Sequence, residues 1–185
     1  MSIENNIPEW NKDGVLPYTM ERITFSPYQM TSIEFVNRFG NTRARKEILK
    51  KWLRYRIAIS DKIQYGFEWV NGSFVENVEQ TRPGPPNDID VVDFVVLKEP
   101  LPAEEHQWMK KCYGVDAFMV HLLSKEAITA LSSQDLFDWY NTIIQDIAQW
   151  NLQWGHTRKD VSKGFVKIVF NQDEDRQALN SLEEF

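Results

Sequence analysis

The segment Asn87-Asp88-Ile89-Asp90 heads the apolar run Val91 to Leu97 and carries the residues best suited to chemistry. Residues two apart in an extended chain project to the same side, so these carboxylates converge on one spot at the strand's entrance. Like charges held that close repel, and a divalent cation is the usual remedy. Gly72-Ser73 stands upstream, at the end of the strand-like run Phe67-Glu68-Trp69-Val70. Glycine permits close backbone approach to a phosphate, while the Ser73 hydroxyl and nearby N–H groups can donate to its oxygens. Asp116 opens a third run in the way that Asp90 opens the second. If those strands are neighbours with their openings at one end of the sheet, three carboxylates meet in one cleft. A few carboxylates without histidine suit Mg²⁺ or Mn²⁺ beside a nucleoside triphosphate, because Mg²⁺ keeps several waters and favours substrate phosphates. His106, His121 and His156 show no ligand spacing. The competing reading of Asp88 and Asp90 alone is turn chemistry, since Asn-Asp after Pro-Pro is a good turn before a strand. Asp93 falls on the opposite face of a strand fit for burial and needs a structural ion pair or an interface.

Several elements must position these groups. Residues 1–30 carry turn residues such as Asp13-Gly14 and Leu16-Pro17 and read as a wrapping segment without regular structure. Thr31 to Phe39 reads as a short helix ended by Gly40. From Arg43 to Ile59, apolar residues at three- and four-residue steps give an amphipathic helix capped by Asn41 or Thr42. Its basic residues, Arg43 to Arg56, read as a solvated face, with a phosphate-binding face as the alternative. The loop Arg82-Pro83-Gly84-Pro85-Pro86 cannot continue a helix or a ladder, and it is expected at the surface as a lid beside the Asp strand. Ile89 to Leu97 reads as the central buried strand, Ala103 to Cys112 as a helix, and Asp116 to Leu122 as a strand. A long helix from Ser132 or Ser133 through Trp150 carries Leu136, Trp139, Tyr140, Ile143, Ile144 and Ile147 as a core stripe. Phe165 to Phe170 is the last strand, and residues 171–185 read as an acidic C-terminal tail.

Composition bounds the class. With 185 residues, 42% of them hydrophobic and 26% charged, residues 1–185 read as one globular domain with an ample core. Seven Trp, six Tyr and eleven Phe are mostly core, with room for some in a base-sized pocket. A net charge of -6 argues against a protein that coats duplex DNA, which needs clustered cations. The single Cys112 allows no internal disulfide. No N-terminal apolar signal segment and no run of 18 apolar residues is present, so the expectation is a cytoplasmic protein that does not enter a membrane.

Gly-Ser, then Asp-x-Asp, then a lone Asp on a later strand resembles the DNA polymerase beta-like nucleotidyltransferases, including the minimal ones. More closely, Trp69-Val70-Asn71-Gly72-Ser73-Phe74-Val75, Pro86-Asn87-Asp88-Ile89-Asp90-Val91-Val92, Tyr113-Gly114-Val115-Asp116 and Lys163-Gly164 resemble an uncharacterised bacterial family of nucleotidyltransferase-like proteins. Pro8 and Asp13-Gly14-Val15-Leu16-Pro17 are similar to that family's opening. The resemblance implies an α/β (α+β) fold with a mixed nucleotidyltransferase-type sheet flanked by helices, and transfer of an NMP from a Mg²⁺-bound NTP to an acceptor hydroxyl with release of pyrophosphate. It implies that Gly72 and Ser73 hold the phosphates, Asp88 and Asp90 the metals, and Asp116 a metal and the acceptor hydroxyl. Lys163 would meet the triphosphate, against a plainly exposed turn lysine. Among acceptors, a protein or small molecule is favoured over RNA by the acidic balance, and a toxin–antitoxin or phage-defence module with a protein partner is implied by resemblance alone. The alternative is a catalytically silent nucleotide-binding or protein-interaction module. Which base is bound depends on pocket shape and stays open.

Overall fold

The computed structural model describes residues 7–18 and 26–183. Among these, seven α-helices flank one five-stranded mixed sheet. The strands are β1 (Tyr28–Met30), β2 (Ile63–Asn71), β3 (Asp90–Leu97), β4 (Asp116–His121) and β5 (Val166–Val169), in spatial order β1-β5-β2-β3-β4. The helices are α1 (Ser32–Phe39), α2 (Arg43–Ser60), α3 (Val78–Thr81), α4 (Ala103–Tyr113), α5 (Lys125–Ala130), α6 (Ser133–Trp154) and α7 (Gln172–Glu183), with a 3₁₀ turn at Gly72–Val75. β2 runs antiparallel to both β3 and β5, whereas β3 and β4 are parallel, as are β1 and β5. No helix among the described residues is long and apolar enough to cross a membrane.

Local chemistry sets the helix ends. Thr31 caps α1 through a reciprocal box with Glu34, and the Thr42 hydroxyl accepts from Arg45 N–H to start α2. Gly114 ends α4 in the left-handed region at φ 62°, which turns the chain directly into Val115 and Asp116.

One face of the sheet, with Val70, Val91, Val95, Ala117, Val166 and Ile168, packs on α1, α2 and α7 to form the main core around Phe35, Trp52, Leu53 and Phe74. On the other face Trp69, Val92, Phe94, Val120 and Phe165 form a smaller cluster under Trp154 and Trp150 of α6. β3 is buried over nearly its whole length, as its unbroken apolar run demands, but the central strand is β2.

Four expectations are corrected. The wrapping segment contains an edge strand, β1, held parallel to β5, and its buried Val15 and Leu16 pin it to the domain; residues 1–6 and 19–25 lie outside the described residues. The acidic tail is largely a helix: α7 buries Ala178 and Leu182, and Asp175 pairs with Arg56 at 3.0 Å. Glu184 and Phe185 lie outside the described residues. The basic face of α2 is not wholly solvated, because Arg45 and Arg56 are fully buried. Lastly, the α6 stripe is core only in part: Ile143 packs partly buried on the smaller cluster, whereas Tyr140, Ile144 and Ile147 are exposed.

Burial of Arg56 follows from its partners. Its guanidinium meets Glu68 at 3.2 Å and Asp175 at 3.0 Å, donates to Val169 O, and lies against Trp52 and Phe170. Glu68 stands opposite Asp93 in the β2–β3 ladder, and the Tyr55 hydroxyl donates to Asp93. Asp93 is therefore held structurally, by a tyrosine hydroxyl and a neighbouring acid in place of the expected ion pair or interface. Burial raises the proton affinity of both acids, Asp93 to a pKa of about 6. Glu68 Oε1 and Asp93 Oδ1 lack other partners among the described residues, and one proton held between them satisfies both.

Candidate functional site

Strand pairing aligns the candidate residues in a single row. Asn71 is the register partner of Asp90, and Asp90 of Asp116, so the end of β2 and the starts of β3 and β4 lie side by side. Aligned residues on neighbouring strands project to one face, here the face shared with Trp69, Phe94 and α6. The sequence required the strand openings to meet at one end, and the β3–β4 ladder brings them there. Asp88 precedes the row in an extended lead-in held by buried Pro86 and Ile89, which leave Asn87 and Asp88 exposed between them. Residues 82–85 are exposed, as expected of the proline loop.

Gly72 sits at φ 72°, where a side chain is strained, and starts the 3₁₀ turn. A Cβ there would lie 1.7 Å from Asp90 Oδ2. The close approach that glycine permits is thus to the Asp90 carboxylate, which lies against the turn. Ser73 follows, half-buried. Arg45 fixes the turn from beneath by donating to Phe74 O and Glu76 O at 2.6 Å each and by pairing with Glu79 at 2.7 Å. A buried arginine on α2, read from sequence as surface charge, is therefore what holds the Gly72–Val75 backbone in place.

Lys163 is buried, and not an exposed turn residue. Its Nζ meets Glu76 Oε1 at 2.6 Å and approaches Gly72 O at 3.4 Å. The neighbouring Gly164 explains the path: its N–H donates to Leu16 O, and a Cβ would strike Pro17 O at 2.6 Å and the Tyr28 ring at 2.7 Å. Packing of the N-terminal segment against this loop aims Lys163 at the site.

The electrostatics single out Asp90. Burial, then the charges of Asp88 and Asp116, raise its pKa to about 6, while Lys163 and Arg158 pull it down. Asp116 is exposed and its Oδ1 lies 3.3 Å from Lys110 Nζ. Asn71 donates from Nδ2 to Trp154 O at 3.0 Å, and its Oδ1 is buried without a partner among the described residues. A cleft of about 410 Å³ opens beside the row, lined by Asp88 and Asp116 and by Gln107, Lys110, Lys111 and Gly114 from the end of α4.

These donors fit a hard divalent cation, being oxygens with an unrelieved repulsion centred on Asp90 and an orphaned amide oxygen next to it. Among the described residues, however, no three His, Cys, Asp or Glu side chains are gathered into one ligand set as they stand, with Asp88 exposed and Asp116 beside Lys110. The backbone aligns the carboxylates, and their side chains do not converge.

A family model described as a family of unknown function (DUF6932) matches residues 8–169. The chain belongs to that family. The matched segment spans every residue of the row, the Gly72 turn, Lys163 and the cleft, and stops before α7. No curated protein and no solved structure gives a match.

Of the sequence-derived site, Gly72, Ser73, Asp90, Asp116 and Lys163 are brought together, with Asp88 at the rim. Sequence reasoning missed Asn71, Glu76, Arg45, Gln107, Lys110, Lys111 and Arg158. A readable signal existed for two of them: Lys110-Lys111 closes a helix just ahead of Gly114 and Asp116, which places cations beside an acidic strand opening.

Proposed function

We propose that this protein is a metal-dependent nucleotidyltransferase of the DNA polymerase beta-like type, moving an NMP from an NTP to an acceptor hydroxyl. The observation that carries the reading is the row Asn71–Asp90–Asp116 with Gly72 folded against Asp90. Asp88, Asp90 and Asp116 are the residues that would hold Mg²⁺ or Mn²⁺, with Asn71 Oδ1 nearby. When bound, the cation neutralises charge on the phosphates and on the developing oxyanion.

The chain's own groups do the rest by positioning and charge. Gly72 N–H and Ser73 face the phosphates from the turn. Lys163, Lys110 and Lys111 flank the carboxylates with positive charge, so a polyanion is held without added repulsion. Asp116, exposed at the cleft, accepts the proton as the acceptor oxygen bonds to the α-phosphorus and pyrophosphate departs with the electrons of the broken P–O bond. The cleft beside Asp116 suits a small molecule or a protein side chain, and the net charge of -6 makes RNA a poorer acceptor. A reducing cytoplasm as its setting is in keeping with the single Cys112. Service in a toxin–antitoxin or phage-defence module rests on family resemblance.

A second reading, a silent nucleotide-binding module, draws on one observation. Lys163 and Asp116 are already engaged, by Glu76 and Lys110 respectively, which lowers the gain from binding phosphate or metal.

The deciding experiment is thermal unfolding with each NTP, with and without Mg²⁺, on the wild type and on Asp88→Asn/Asp90→Asn, followed by incubation with α-labelled nucleotide. Ligand at about 100 times its dissociation constant stabilises the fold by about 2.7 kcal/mol. A Mg²⁺-dependent shift lost in the variant, with label transferred, supports transfer. A shift without transfer supports the silent module, and no shift with any NTP removes both.

A further inference from the structure

α6 is 22 residues long, and all but one of its side chains are partly or fully exposed. Phe137, Tyr140, Ile144 and Ile147 nonetheless recur at steps of three, four and three residues, continued at both ends by Ser133 and Asn151. That spacing is the seam of a helix paired with another helix. It is distinct from the inner side of the helix, where Ile143, Trp150 and Trp154 pack on the sheet's smaller cluster. The helix thus has one apolar stripe with a partner and a second without one.

We propose that the outer stripe is the interface of a homodimer, in which α6 packs antiparallel against α6 of a second copy. Three observations select that occupant. The first is area: Phe137, Tyr140, Ile144 and Ile147 are between 36% and 61% exposed. At about 150–250 Å² for each full side chain they present about 300–500 Å² of apolar surface. A specific interface takes about 600–1,000 Å² from each partner, about 65% of it apolar in homodimers, so the stripe reaches the lower end of what a stable pair needs.

The second is charge. α6 contains Asp135, Asp138 and Asp146 and no Lys or Arg. At 100° per residue all three acids lie about 140–160° from the centre of the outer stripe. Identical helices can therefore meet along it without opposing their carboxylates. The same lack of cations on α6 disfavours an anionic membrane surface. The third is shape: a 3-4-3 seam on one helix is self-complementary about a two-fold axis, the commonest symmetry of soluble assemblies.

The test is sedimentation equilibrium of the full chain over a concentration series, for the wild type and for Ile144→Glu, at a site already mostly exposed. Expected is a wild-type mass of twice 21.8 kDa, and a shift to 21.8 kDa in the variant with an unchanged near-ultraviolet circular dichroism spectrum. Hydrogen exchange of the wild type at high and low concentration gives a check that needs no variant, with concentration-dependent protection expected over residues 137–147. A wild type that stays monomeric overturns the proposal and gives the stripe to a different protein. A dimer that survives Ile144→Glu, or concentration-dependent protection confined to other elements, also overturns it.

Discussion

A carboxylate oxygen of Asp90 occupies the space in which any side chain at position 72 would begin, with 1.7 Å between Asp90 Oδ2 and a Cβ built on Gly72. The relationship joins two motifs that are separate in the chain. The turn glycine and the strand-opening aspartate share one space, and no side chain can be added at position 72 without moving Asp90.

Gly72→Ala should therefore cost more than its backbone strain alone, which for a non-glycine residue at positive φ is about 1–3 kcal/mol. The clash with Asp90 adds to that. In a double-mutant cycle with Asp90→Ala, measured by urea denaturation, the combined loss should fall short of the sum of the single losses by about 0.5–3 kcal/mol. Additive losses would mean that the two residues do not share this space.

Asp90 also makes stability depend on pH. Its pKa is raised to about 6 in the folded protein by burial and by Asp88 and Asp116. The folded state then holds a proton that the unfolded chain releases at lower pH, so this contribution is fully present below about pH 4 and is lost as pH rises through about 6. Solvent at its outer side screens part of the effect, leaving about 1–2 kcal/mol. Asp90→Asn should abolish that part of the decline between pH 4 and 7 in thermal melts, leaving the part due to the Glu68–Asp93 pair. Stabilisation by Mg²⁺ should move oppositely and grow above about pH 6, because the ligand must be deprotonated.

Lys163 acts on the same aspartate from a buried position. Lys163→Met removes a nearby positive charge and leaves Glu76 without its partner. The Asp90 titration, followed by carboxyl carbon NMR, should move to higher pH than in the wild type. An unmoved titration would place Lys163 outside the site's field.

Arg56 tests the interior. It meets Glu68 and Asp175 with all three side chains fully buried. Arg56→Met should destabilise by about 3–5 kcal/mol, since it leaves buried acids uncompensated. Asp175→Asn should cost less, because Glu68 still pairs with the guanidinium. Deleting α7 should unfold the domain, although residues 171–185 read in the sequence as a tail. In denaturant titrations the midpoint of Asp175→Asn should lie above that of Arg56→Met, and the deletion should show no folded baseline.

Much of the frame was legible in the sequence because it is locally encoded. Thr42 starts α2, Gly114 ends α4 and Ser132 caps α6 through side-chain and backbone preferences that act within one turn. The apolar run from Val91 to Val96 could only be a buried strand. Asp88, Asp90, Asp116 and Gly72 stood out for the same reason, as unusual residues at the ends of such runs.

What the tertiary structure decided was everything that depends on who lies opposite. The sequence could say that Asp90 and Asp116 each open a strand, but only the parallel β3–β4 register makes them neighbours. Arg45 and Arg56 read as surface charge because cations usually are, and an exposed turn is the competing reading of Lys163; each is buried because acids and carbonyl oxygens distant in sequence converge on it. Residues 171–185 read as a tail because their acids outnumber their apolar residues, and the burial of Asp175 depends on an arginine more than a hundred positions away. The α6 stripe erred in the opposite sense. Periodicity shows that a helix has an apolar face, but whether that face meets its own chain is settled by the placement of the sheet, which fills one stripe of α6 and leaves the other open.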